Sequence, residues 1–198
     1  EPFLPTAVVS AGLLARGADK QVRDSLLPAI GAGELKVSVA THEPGSRFDL
    51  WYVNTTARLQ NGRWKINGRK SVVLAGDSAN KLIVPARIAG KPDDRDGIGL
   101  FLVDTQAAGI SVPGFPTIDG MRCAEVELHD VEAETVIGPP DQGYPLLEWA
   151  VDRGIAALCA EAVGVMDSTL QMTVDYLQTR VQFGQPLARF QALQHRIA

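Results

Sequence analysis

The chain has 198 residues, 19 Lys and Arg against 23 Asp and Glu, a net charge of −4 and 45% hydrophobic residues. That length accommodates one or two domains with a buried core, and the acidic balance, without interleaved basic and aromatic residues, argues against a nucleic-acid partner. Two cysteines without a CxxC spacing and three histidines without ligand spacing argue against a disulfide framework or a metal site.

The opening Glu1-Pro2-Phe3-Leu4-Pro5 has neither an initiator Met nor a basic-then-apolar leader, and reads as a chain entered midway. From Thr6 to about Gly33, Val8, Val9, Leu13, Leu14, Val22, Leu26, Leu27 and Ile30 recur at helical steps. Gly17-Ala18-Asp19 divides this run into two helices, with Asp19 as N-cap of the second and Gly31-Ala32-Gly33 as its stop. Two short helices cannot bury their apolar faces alone, so residues 1–33 are expected to end a helical N-terminal domain.

Residues 34–140 read as a β domain. Leu35–Thr41 alternates in character, and Thr56–Gln60 with Arg63–Ile66 forms a hairpin around Asn61-Gly62, a dipeptide suited to a left-handed two-residue turn. A second Asn67-Gly68 follows at once. Lys81–Ile88, Ile98–Asp104, Gly109–Pro113, Arg122–Leu128 and Glu134–Ile137 are further strands between Pro, Gly and Asp clusters. Such short spacing indicates an antiparallel barrel or sandwich. The polar stretch Lys91–Gly97 reads as a solvated turn.

Residues 141–198 are helical again and read as the start of a C-terminal bundle, with Leu147, Val151, Ile155, Leu158, Ala162, Val165, Thr169, Thr173, Leu177 and Val181 on one face. Apolar residues on the other sides imply burial among further helices, with Cys159 as a small buried hydrophobe. Charges interrupt every apolar stretch, so no membrane span is expected, and the default setting is the reducing cytoplasm. Gly184-Gln185-Pro186 breaks the helix, and Leu187–Ala198 begins another.

Within this last region runs Tyr176-x-x-x-Arg180-x-Gln182-Phe183-Gly184-Gln185-Pro186-Leu187-x-x-Phe190-Gln191-Ala192-Leu193-Gln194-His195-Arg196. Together with Trp64–Lys70, Gly99–Asp104 and Glu43-Pro44-Gly45, it resembles the acyl-CoA dehydrogenase family over nearly the whole chain. The resemblance implies an α+β fold: the end of a helical domain, a β middle domain and the start of a bundle. It also implies FAD as cofactor and α,β-desaturation of an acyl-CoA, with hydride passing to flavin N5. In such enzymes the Arg and the Gln eleven residues later reach the FAD of a neighbouring subunit; here these are Arg180 and Gln191, with Gln182 and Phe183 beside the cofactor. A guanidinium followed by a glycine also suits a pyrophosphate.

Departures from the family fall on the flavin and the proton. The family stretch Thr-Glu-Pro-x-x-Gly-Ser-Asp is here Thr41-His42-Glu43-Pro44-Gly45-Ser46-Arg47-Phe48, which puts His42, next to Thr41, where a flavin-bonding hydroxyl usually stands. Val72 and Leu74 stand where a shielding Trp and a hydrogen-bonding Thr are usual. The early-helix position of the catalytic Glu in some members is Gly154, and Glu148, Asp152 and Glu161 do not align with it, so no catalytic base is assigned in this chain. Retained Arg180 and Gln191 beside lost flavin contacts imply a subunit completing a partner's FAD site in a heteromer, nearest to the small subunit of pimeloyl-CoA-type dehydrogenases. Such enzymes act in fatty-acid or steroid side-chain catabolism, typically as tetramers. The alternatives are a homotetrameric dehydrogenase with its Glu beyond Ala198, a non-catalytic assembly subunit, and an oxygen-using relative.

Overall fold

A computed structural model describes residues 2–197 and divides into two units, Glu1–Gly154 and Ile155–Ala198. In the first unit a π-helical segment, Phe3–Ser10, runs into α1 (Ala11–Gly17), followed by α2 (Lys20–Gly31). The Asp19 side chain accepts the Val22 backbone N–H at 2.8 Å, capping α2 as its position foretold. Thr6 Oγ1 donates to Val37 O at 3.0 Å, tying the helical segment to the first strand.

The strands are β1 (Val37–Val39), β2 (Thr56–Gln60), β3 (Arg63–Leu74), β4 (Lys81–Arg87), β5 (Ile98–Asp104), β6 (Ile110–Ser111), β7 (Gly114–Pro116), β8 (Arg122–Glu132) and β9 (Thr135–Val136). They form one sheet ordered β6-β8-β3-β2-β4-β5-β9, with β1 beside β4 and β7 beside β8. The β2–β3 hairpin turns on Asn61 and Gly62, both left-handed, as expected.

Three features depart from the sequence reading. β1 pairs with β4 in parallel, and Thr56 of β2 also meets Arg87 in parallel, so the sheet is mixed rather than antiparallel. The reason is connectivity: the β2–β3 hairpin intervenes between β1 and β4 and returns the chain in the same direction. Asn67-Gly68 makes no turn but lies inside β3, which continues to Leu74. β7 was not foreseen, because Pro113-Gly114-Phe115-Pro116 reads as a turn; it pairs with β8 only through Gly114, Phe115 and Pro116, a short edge where proline is tolerated.

Alternation along β4 and β5 explains why both look apolar throughout. Leu82, Val84, Phe101 and Val103 join Ile66, Val126, Leu128 and Val131 of β3 and β8 in one core, so the sheet folds over on itself. Ile83, Leu100 and Leu102 point the other way, onto Leu13, Leu14 and Ile30 of the helices. The helix α3 (Gly143–Thr179) begins in this unit, where Leu147 and Ala150 complete the second core.

The second unit holds the remainder of α3, then β10 (Val181–Gln182), β11 (Gln185–Pro186), a 3-10 turn Leu187–Arg189 and α4 (Gln191–Ile197). The sequence places one helix from Leu187 onward, but Phe190, with an extended ψ of 114°, separates two short pieces. Ile155, Leu158, Val163, Met166 and Leu170 are exposed, and so is Cys159, which the sequence reading had buried. Its alanine-rich surroundings mark an apolar helix, but they do not supply the packing partner. By length and mean apolarity alone α3 could cross a membrane, but it carries the charges that the sequence reading set against a span. Glu161 and Asp167 interrupt it, and an acidic group at a bilayer centre costs about 2.5–3.5 kcal/mol.

Candidate functional site

Two residue groups were expected to face a flavin, and each lies within one unit. The first follows β1. Ala40 N–H still donates to Ile83 O at 2.9 Å, which carries the strand direction into Thr41-His42-Glu43. Ser71 N–H donates to His42 O at 2.9 Å, so this ridge lies against β3. Thr41 Oγ1 and His42 Nδ1 are 2.8 Å apart, and both residues are half-buried. Burial, and secondarily the Lys70 charge, lower the His42 pKa from its ordinary value, leaving a neutral ring with one N–H donor near pH 7.

Beneath the ridge, Lys70 is fully buried, and its Nζ donates to Glu43 Oε1 at 2.6 Å. The same carboxylate accepts the Asn54 N–H at 2.7 Å and the Thr55 N–H at 3.1 Å. Burial raises the Glu43 pKa, but the Lys70 charge and hydrogen bonds from Lys70, Thr55 and Asn54 outweigh it and hold the carboxyl below its ordinary value. Burial lowers Lys70 against the opposing pull of Glu43.

Immediately after Lys70 the β3–β8 register slips: Lys70 faces Val126 and the next pair is Val73 with Ala124. Val72, in this bulge, has φ 52°, a region that β-branched residues avoid. Ser71 Oγ donates to Glu125 Oε2 at 2.9 Å, and Arg69 reaches the same oxygen at 3.2 Å. Val72 and Leu74 are each 49% exposed. Polar tips at Thr41 and His42, next to a bulge exposing aliphatic side chains, suit a planar heteroaromatic ring with hydrogen-bonding edges.

The second group is on the β10–β11 hairpin. α3 ends at Thr179, and Arg180 N–H still bonds Tyr176 O at 2.8 Å. Phe183 and Gly184, at φ 55° and 79°, form a two-residue left-handed turn, for which the glycine is suited. The Phe183 side chain is exposed and meets Phe190 edge-on, with ring centroids 6.0 Å apart. Arg180 is exposed, and its guanidinium makes no hydrogen bond or ion pair among the described residues. Gln182 lies on the hairpin and Gln191 opens α4, both exposed. The hairpin thus presents an exposed cation and an aromatic ring, a pairing able to receive a phosphate and an apolar edge.

No carboxylate takes the base position. Gly154 is buried, and a Cβ there would come within 3.0 Å of Val9 Cγ2. Tyr144 Oη donates to Glu148 Oε1 at 2.6 Å, and burial followed by that bond pushes the tyrosine up to about 12.

Sequence reasoning missed Arg87. It is only 5% exposed, at the end of a buried strand, and donates to Trp51, Val53, Ala89, Pro92, Asp94 and Asp96 carbonyls at 2.8–3.3 Å. It joins the segment before β2 to the polar turn at Lys91–Gly97, exposed as expected through Asp96 but closing on a buried Gly97. The available signal was a charge ending the otherwise apolar run Leu82–Ala86. Lys70 gave a similar signal, preceding Val72-Val73-Leu74.

Residues 38–131 match the family profile described as acyl-CoA dehydrogenase, middle domain, and residues 141–198 match that of the C-terminal domain. A 3-(aryl)acrylate reductase of Clostridium sporogenes is 29% identical over 98% of this chain and 52% of its own. A solved variant of the Tcur3481-Tcur3483 steroid ACAD is 35% identical, with TM-score 0.82, over 99% of this chain and 50% of that one. Butyryl-CoA dehydrogenase of Megasphaera elsdenii superposes at TM-score 0.92, with 23% identity, over 99% of this chain and 52% of that one. The chain therefore spans about half the length of the relatives it matches.

Proposed function

This chain belongs to the acyl-CoA dehydrogenase family, and we propose that it is part of a subunit of an FAD-dependent acyl-CoA dehydrogenase. The subunit completes a partner's FAD site in a heteromeric assembly, expected to be a tetramer. FAD, when bound, supplies the hydride acceptor for α,β-desaturation of an acyl-CoA thioester.

This chain's own residues bind and orient. Arg180 receives the pyrophosphate of the partner's dinucleotide, and Gln182, Phe183 and Gln191 line the same contact. Thr41 and His42 supply hydrogen bonds on the first unit, where neutral His42 carries a single ring N–H. Val72 and Leu74 keep water from that edge. With Gly154 at the base position, proton abstraction falls to a carboxylate outside this chain. The heteromeric reading is supported by the two-component name of the Tcur3481-Tcur3483 steroid ACAD, which also makes a steroid side-chain thioester the first substrate class to test.

The observation that carries this reading is the exposed guanidinium of Arg180, unpaired among the described residues, next to a hairpin tip exposing Phe183. The test compares the full-length protein alone and with its homologous partner, measuring flavin per chain and acyl-CoA oxidation. Arg180→Ala is expected to weaken FAD binding by roughly ten- to hundredfold, as loss of a charge-assisted bond does. Unchanged flavin affinity in that variant, or full activity of this subunit alone, overturns the reading. The name of the C. sporogenes relative supports a second reading, saturation of the same carbon–carbon bond, which the reduction potential of the flavin distinguishes.

A further inference from the structure

The Glu43–Lys70 pair has a position that core stability alone does not explain. Lys70 is fully buried and Glu43 is 5% exposed, yet a buried ion pair generally holds a core no better than apolar residues of similar size. What a charge pair adds is direction. Both carboxylate oxygens are committed, one to Lys70 Nζ and Thr55 N–H, the other to Asn54 N–H, so Glu43 is held from two sides. In sequence, His42 immediately precedes Glu43, and Ser71 and Val72 immediately follow Lys70. The Ser71 N–H bond to His42 O, at 2.9 Å, closes the same loop of contacts. Val72 sits at φ 52° in the register slip that begins at Lys70, and such a conformation persists only where surrounding contacts over-determine it.

We infer that Glu43 and Lys70 are positioning residues: their buried bond clamps the Thr41–His42 ridge to the Ser71–Val72 bulge and so shapes the edge offered to the flavin. The inference rests on the flavin reading above, but it concerns residues that the reading leaves without a role. Neither side chain touches the cofactor; both act through the backbone of their neighbours. Asn54 and Thr55 extend the clamp to the segment that Arg87 gathers through Trp51 and Val53. The bulge is further held from the opposite strand by Glu125, which receives Ser71 Oγ and Arg69.

Lys70→Met alone strands a buried carboxylate and risks misfolding, so the test centres on the double variant Glu43→Gln/Lys70→Met, which keeps the volume and removes both charges. The control is Lys65→Met, which breaks the outer bond to Glu132. Two readouts are taken on the purified protein in its native assembly. One is FAD affinity and the shape of the flavin visible band on titrating the apoprotein. The other is His42 titration followed by imidazole NMR without flavin. The double variant is expected to bind FAD about tenfold more weakly, with an altered band, and its His42 midpoint is expected to move up toward 6.5. The control moves neither readout. A double variant that melts earlier but keeps the FAD affinity, band shape and His42 midpoint overturns the inference and makes the pair plain core filling. If the unaltered protein takes up no flavin, the flavin reading fails by itself, and an unmoved His42 midpoint then overturns the clamp as well.

Discussion

Removing the Arg87 guanidinium is the most direct trial of how the first unit is held together. Arg87→Met keeps the aliphatic stem but takes the guanidinium donor from six backbone carbonyls, of which Pro92 O keeps the Val53 N–H at 2.8 Å. Only the Val53 oxygen accepts in a fully buried setting, and the other five are half-buried, where water replaces the lost bond. At about 2 kcal/mol for the buried oxygen and about 0.5 for each of the others, the expected loss is about 4–5 kcal/mol. With roughly 2–4 °C per kcal/mol for a unit of this size, the melting temperature falls by roughly 9–18 °C. Arg87→Lys restores less than half of this, since an ammonium brings three donors from one point where the guanidinium brings a planar fork. Calorimetry of the purified protein gives the melting temperature, and limited trypsin digestion reports the loop through cleavage after Arg95. A variant melting within about 2 °C of the parent, with no new cleavage after Arg95, would refute the carbonyl cage as an organising element.

The same reasoning extends to other positions. Gly154→Ala is expected to be near neutral, because about 1 kcal/mol of helix propensity offsets the 3.0 Å approach to Val9. Gly154→Glu buries a carboxylate there, costs about 3 kcal/mol or more and creates no base; a melting curve with an acyl-CoA turnover assay checks both parts. Asp19→Ala removes the cap of α2 and is expected to cost about 1 kcal/mol, read from the denaturant midpoint. Acidification should act in two stages. The folded His42 value lies below 6.5, so the unfolded chain binds more protons as pH falls from 6.5, and stability declines. Glu43 is held below 4.5, so a second decline begins as pH falls past that value. Urea midpoints at several pH values measure both stages, and His42→Gln is expected to abolish the upper one alone.

Local chemistry accounts for the parts of the fold that could be read in advance. Asn61-Gly62 forms its turn, Asp19 caps its helix and β5 occupies Ile98–Asp104, because turn torsions, capping bonds and strand alternation all depend on residues close in sequence. The order of helices, sheet and long helix followed from the same periodicities. The Arg180–Gln191 motif was legible as a string, and the structure adds its geometry: a left-handed Phe183-Gly184 turn that leaves Arg180 exposed next to it.

Long-range pairing belongs to the tertiary structure alone. Glu43 and Lys70 are 27 positions apart, and neither carries a mark naming the other. β1 runs parallel to β4 because the hairpin between them reverses the chain twice, which no single strand's pattern records. The partners of Arg87 are backbone carbonyls, and every residue owns one, so no side-chain pattern could announce them. Side-chain identity thus determined the elements and their order. The folded backbone decided which buried charges meet, because ion pairs and carbonyl cages are set by distances that only folding brings within reach.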